Sequence, residues 1–108
     1  MLISTLESIP NYEIVTVHGL VRGNTIRARH LGHDIIASLR NLVGGEVSEY
    51  TKLLGEAREQ AIDRMKNHAR QMGANAILGV RFTTSTVMQG AAELLAFGTA
   101  VTVRQKGT

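Results

Sequence analysis

Two histidines three residues apart, His30 and His33, stand with Asp34 beside them and form the most reactive-looking group in the chain. On a helix that spacing puts both imidazoles on one face, and the adjacent carboxylate can ligate or orient a ring. The group would hold a divalent metal ion if His18 or a neighbouring copy of the chain supplied a third donor. The plainer reading leaves both rings in solvent, with Asp34 capping a helix. Glu46, Tyr50 and Arg58 make a second polar set. Arg58 lies two turns beyond Tyr50, so these side chains fall near one face, where the arginine fork could take a ligand carboxylate at a subunit interface. An Arg58–Glu46 ion pair, buried or at an interface, explains the same residues structurally. Gly44-Gly45-Glu46 ahead of a helix could cradle an anion on backbone N–H groups. Glu46 would repel a phosphate, however, and no GxxxxGK[ST] or GxGxxG pattern is present, so a tight helix–helix turn fits better.

Several classes of chemistry are excluded or disfavoured by what is missing. The chain has no cysteine, which removes disulfides, thiolate metal sites and thiol nucleophiles together. No Gly-x-Ser-x-Gly elbow occurs, and the chain is expected not to be an enzyme. The net charge is only +3, with nine of the twelve basic residues being arginine. The segment from Glu46 to Met72 balances five acidic against five basic residues, so the excess lies in flanking segments such as Arg22, Arg27 and Arg29. That excess leaves anion or nucleic-acid binding through Arg22 to His30 as the alternative function. Two tyrosines and two phenylalanines, mostly in core-like positions, make no stacking platform, and nucleic acid is the weaker expectation.

These candidates need elements to hold them. Tyr12 to Val21 alternates with apolar residues on both faces and reads as a covered strand, preceded by a short edge strand at Leu2–Thr5 and a Pro10-Asn11 turn. Gly23-Asn24 reads as its break. Helical spacing of Ile35, Ile36, Leu39, Leu42 and Val43 follows, with Asp34 as N-cap and Gly44-Gly45 as stop. A long amphipathic helix runs from Glu46 to Met72, with Ser48 as candidate N-cap, a narrow face of Ala57, Ala61 and Ala69, and Gly73 as terminator. His68 flanks its apolar stripe as a half-buried packing residue. Strands at 76–85 and 94–103 close the chain through a connection at 86–92. In the first, Leu78, Val80 and Phe82 are expected to share a face. In the second, Leu95, Phe97, Val101 and Val103 oppose a small-residue face of Gly98 and Ala100, where another backbone can approach closely. The order is β-β-α-α-β-β: an α+β fold with an antiparallel-containing sheet and helices largely on one face.

At 108 residues this makes one domain, 1–108, with no linker or repeat. The N-terminus lacks the basic and apolar regions of a signal peptide, and no apolar run spans a bilayer. A cytoplasmic location without membrane contact is the expectation.

Four short motifs in fixed order carry a resemblance. They are Leu42-Val43-Gly44-Gly45-Glu46 with Tyr50, Ala57-Arg58 with Ala61, Gly73-Ala74-Asn75-Ala76 with Gly79, and Gly98-Thr99-Ala100-Val101. Together they resemble the YbjQ family of small bacterial and archaeal proteins, which carries a heavy-metal-binding label without an assigned activity. The resemblance extends across nearly the whole chain. It implies a dodecin-like α+β subunit that assembles as a ring-shaped homopentamer. It also places Glu46, Tyr50 and Arg58 in matched motifs. Without cysteine, soft thiolate selectivity for a heavy metal is absent, leaving imidazole, carboxylate and thioether donors.

Overall fold

The computed structural model describes residues 1–27, 46–88 and 91–107. Four strands and one helix occur among them: β1 (Leu2–Ile3), β2 (Tyr12–Arg27), α1 (Glu46–Gln71), β3 (Ala76–Met88) and β4 (Ala91–Gln105). The expected helix over 32–43, its Asp34 cap and the Gly44-Gly45 turn lie outside the described residues. The sheet order is β1-β3-β4-β2, with β1 parallel to β3 and the other neighbours antiparallel. The fold is therefore α+β with a mixed sheet, and α1 packs on one face of it, chiefly against β2 and β4.

The alanine face of α1 permits this packing. Ala57, Ala61, Met65 and Ala69 are buried against Val21, Ile77, Val80, Ala96 and Ala100. The small-residue face of β4, with Ala96, Gly98 and Ala100, lies on the α1 side of the sheet. Burial of Met65, fully enclosed, contributes on the order of 2 kcal/mol.

Gly23 does not break β2. The strand continues to Arg27, and Gly23 is the point at which it passes directly beneath the helix backbone. A Cβ there would fall on the Ala61 carbonyl oxygen and the Met65 amide nitrogen, and 2.8 Å from the Arg64 carbonyl carbon. Two residues on, the buried Thr25 hydroxyl donates to the Ala57 carbonyl at 3.1 Å, which removes the penalty of an unpaired hydroxyl in the core. Ser48 lies inside α1 rather than capping it.

The far end of α1 closes as the sequence indicates. Gly73, at φ 86°, donates its N–H to Arg70 O at 3.0 Å, and Ala74 donates to Ala69 O at 3.1 Å. This is a Schellman arrangement, which needs a left-handed residue at the glycine. Asn75 then acts as a ladder rung: its amide donates to Val103 O at 2.9 Å and accepts from Val103 N–H at 2.8 Å. The Pro10-Asn11 turn is present, with Asn11 at φ 69°.

β3 departs from simple alternation at Gly79, whose φ is 64°, and the pairing with β4 shifts between Leu78 and Arg81. A bulge of this kind adds one residue and reverses the side-chain phase. Ile77 and Val80 therefore both face α1, while Leu78 points to the opposite face with Ala76, Val101 and Val103. Leu78 and Val80 do not share a face. Beyond the bulge both strands run further than expected, to a Met88–Ala91 pair, with residues 89–90 outside the description. The radius of gyration is 17.4 Å and the principal extents are 58 × 26 × 17 Å. A compact domain of this length has a radius near ~13 Å, so the subunit is elongated.

Candidate functional site

The face of the sheet opposite α1 is covered only in part. Ile9 and Tyr12 pack on Ala76, Leu78, Val101 and Val103, and the N-terminal segment is tied down by Ser4 N–H to Ile77 O at 3.0 Å and Gly79 N–H to Leu6 O at 2.8 Å. The bulge exposes the Gly79 amide for that second bond. Where this cover ends, a cleft of about 420 Å³ opens, lined by Glu7, Ile14, Val17, Leu78, Gly79, Arg81, Thr99 and Val101. Leu78 and Val101 form a buried apolar floor, whereas Ile14 and Val17 are 45% and 64% exposed.

Arg81 is fixed at the cleft by its own backbone and by the N-terminal segment. Its Nη1 donates to Thr5 O and to Val80 O, each at 2.9 Å. The Nε–Nη2 edge, which matches a carboxylate in two-point contact, has no partner among the described residues. Glu7 lines the same cleft, and the one ion pair among the described residues is Arg104 with Glu13 at 2.7 Å on the surface. Glu7 and Arg81 thus stand as opposite charges that do not neutralise each other by direct contact.

The residues singled out from sequence are placed differently. His30, His33 and Asp34 lie outside the described residues, as do Arg29 and the Gly44-Gly45 turn. Glu46 and Tyr50 belong to the first turns of α1. Arg58 is exposed on the outer side of α1, in a shallow groove with Glu56, Glu59 and Asp63. It is not a buried residue. His18 Nε2 lies 2.7 Å from Thr102 Oγ1. The half-buried His68 accepts the Arg22 backbone N–H on Nδ1 at 3.3 Å, and Arg64 Nη1 donates to Asn24 O at 2.6 Å. These two helix side chains occupy backbone groups on the outer edge of β2. Among the described residues no three His, Asp or Glu side chains gather as a metal site, and the donor set contains no thiolate. What is described does not fit a heavy-metal centre. No described helix is long and apolar enough to cross a membrane.

Sequence reasoning passed over Glu7 and Arg81 as a pair because only the sheet order brings them together. The available signal was Gly79, since a glycine inside a strand pattern often marks a bulge and a close backbone approach.

Comparison with known proteins settles the lineage. A family model described as "Putative heavy-metal-binding" matches residues 1–104. The chain belongs to the YbjQ family. Among its relatives, a UPF0145 protein of Thermus thermophilus is 57% identical over 101 residues, covering 94% of this chain and 89% of that one. A UPF0145 protein of Archaeoglobus fulgidus is 53% identical over 104 residues, covering 96% of each. One of Methanosarcina acetivorans is 54% identical, covering 98% of this chain and all of the other. The YbjQ chain also shares its fold with a crystal structure from Pediococcus pentosaceus, a protein of unknown function from the DUF74 family. That match has a TM-score of 0.64 at 16% identity and covers 96% of this chain and 98% of the other.

Proposed function

We propose that this YbjQ protein is a non-enzymatic binding domain that works as a ring of identical subunits and holds a small ligand or metal ion at or near subunit boundaries. The observation that carries the reading is the apolar surface on β2, opposite α1: Ile14, Val17 and Leu20 follow one another, with Ile26 beyond Arg22 and Asn24, and the four are between 45% and 64% exposed. A soluble protein rarely leaves such a surface in water, and covering it with another copy is the simplest resolution. The elongated subunit supports the same reading, because its three-stranded extension of β3, β4 and β2 offers a long flank on which a neighbour can pack. Five-fold symmetry is the form the family resemblance implies.

Native mass spectrometry at micromolar concentration is expected to give a single species of about five chain masses. A stable monomer would remove the assembly reading.

The metal version is carried by His30, His33 and Asp34 alone and makes a separate prediction. Zinc or nickel titrated calorimetrically into the protein should bind, and a His30→Ala/His33→Ala double variant should lose that binding. Equal binding in both proteins, or none in either, would show that these histidines are not the site.

A further inference from the structure

We infer that the cleft between the N-terminal segment and the open face of the sheet is a site for a small zwitterion with an aliphatic tail, an α-amino acid of the leucine type. The inference rests on the small-ligand reading above and gives that ligand a chemical class. Three features of the cleft correspond to three parts of such a molecule. Arg81 is held by the carbonyls of Thr5 and Val80 through Nη1, which leaves its Nε–Nη2 fork for a carboxylate. Glu7 lines the same cleft and offers a carboxylate to an ammonium group. Leu78 and Val101 form the apolar floor, and Ile14 and Val17, at the end of the β2 surface where the cleft meets the proposed subunit boundary, form a rim that a branched alkyl chain and the neighbouring copy would cover together.

Other ligands fit less well. The lining supplies one cation and no aromatic ring, so it lacks the stacking and the multiple phosphate contacts that a nucleotide would use. One carboxylate beside a guanidinium is a poor cation site, because the fixed positive charge opposes a metal ion. The volume of about 420 Å³ lies in the ~300–1,000 Å³ range of small-molecule sites.

The test uses the intact assembled protein and three probes: L-leucine, 4-methylpentanoate, which lacks the amine, and isoamylamine, which lacks the carboxylate. Titrations followed by backbone amide shifts should show leucine binding tightest, with the largest shifts at Gly79, Arg81 and Thr99. Arg81→Gln should weaken leucine by roughly 10- to 100-fold, as expected when a charged hydrogen-bonded contact is lost. Glu7→Gln should weaken leucine by about 10-fold while leaving 4-methylpentanoate unchanged or tighter. Because Arg81 also fastens the N-terminal segment, Glu7→Gln is the deciding variant if Arg81→Gln fails to fold. No binding of leucine, shifts confined to other surfaces, or equal response of leucine and 4-methylpentanoate to Glu7→Gln would each overturn the inference. Native mass spectrometry of the same samples separates the two readings: an assembled protein that ignores leucine refutes this inference alone. A monomer that binds leucine refutes only the ring.

Discussion

Gly23→Ala is expected to destabilise the fold by about 3 kcal/mol or more, the upper part of the range for overpacking a core. The new methyl group would meet helix backbone, the Ala61 carbonyl and the Met65 amide, rather than a side chain that could rotate away. Relief requires lifting α1 from β2, which would also loosen Thr25 from Ala57 and uncover Met65. Gly55→Ala is the matched control. It lies within α1, and its Cβ would meet nothing closer than the Arg58 Nη2 at 3.8 Å. There alanine should be neutral or stabilising by about 0.5–1 kcal/mol through helix propensity and reduced freedom of the unfolded chain. Chemical denaturation of both variants checks the pair. Similar effects from the two would show that the close crossing at Gly23 does not limit packing.

The second large effect concerns assembly. If copies assemble through β2 as proposed, a Leu20→Glu/Ile26→Glu variant should abolish that assembly while leaving the subunit folded. Both side chains are on the face opposite α1, 63% and 56% exposed, so charges there cost the isolated subunit little. In an interface the change removes about 1.5–3 kcal/mol of apolar burial per side chain and adds the cost of enclosing carboxylates. A loss near ~5 kcal/mol weakens association by more than ~10³-fold. Native mass spectrometry should then show the chain mass alone, with an unchanged far-ultraviolet circular dichroism spectrum. Retention of the wild-type assembly would place any interface elsewhere.

The sequence made the long helix, its alanine face and its stop at Gly73 legible, because each depends on local chemistry. The same holds for the small-residue face of β4. Gly23 was misread for a physical reason: a glycine that ends a strand and a glycine that lets a helix pass over it look alike until the partner is known. Gly79 hid a reversal of side-chain phase, so Leu78 could not be separated from Val80 by alternation alone. The candidate site was the least legible part. Glu7 and Arg81 belong to segments far apart in the chain, and they line one cleft because β1 lies parallel to β3 and draws the N-terminal segment across the sheet. Local spacing carries no trace of that juxtaposition. It did mark Arg58, which is exposed on the outer surface of α1.

The pairing of β2 with β4 has a consequence for how the chain is made. Tyr12 faces Gln105 and Arg27 faces Ala92, so residues 28–90 separate the two strands in the chain. At ~5–20 residues per second on the ribosome, β2 emerges roughly 4–15 s before its hydrogen-bonding neighbour exists. During that interval α1 is the partner among the described residues that is already made, and the crossing at Gly23 and the Thr25 hydroxyl can engage it before β4 is complete. Synthesis order thus makes the α1 face of β2 the first one that a partner of the folded state can cover, before β4 is available to pair with it.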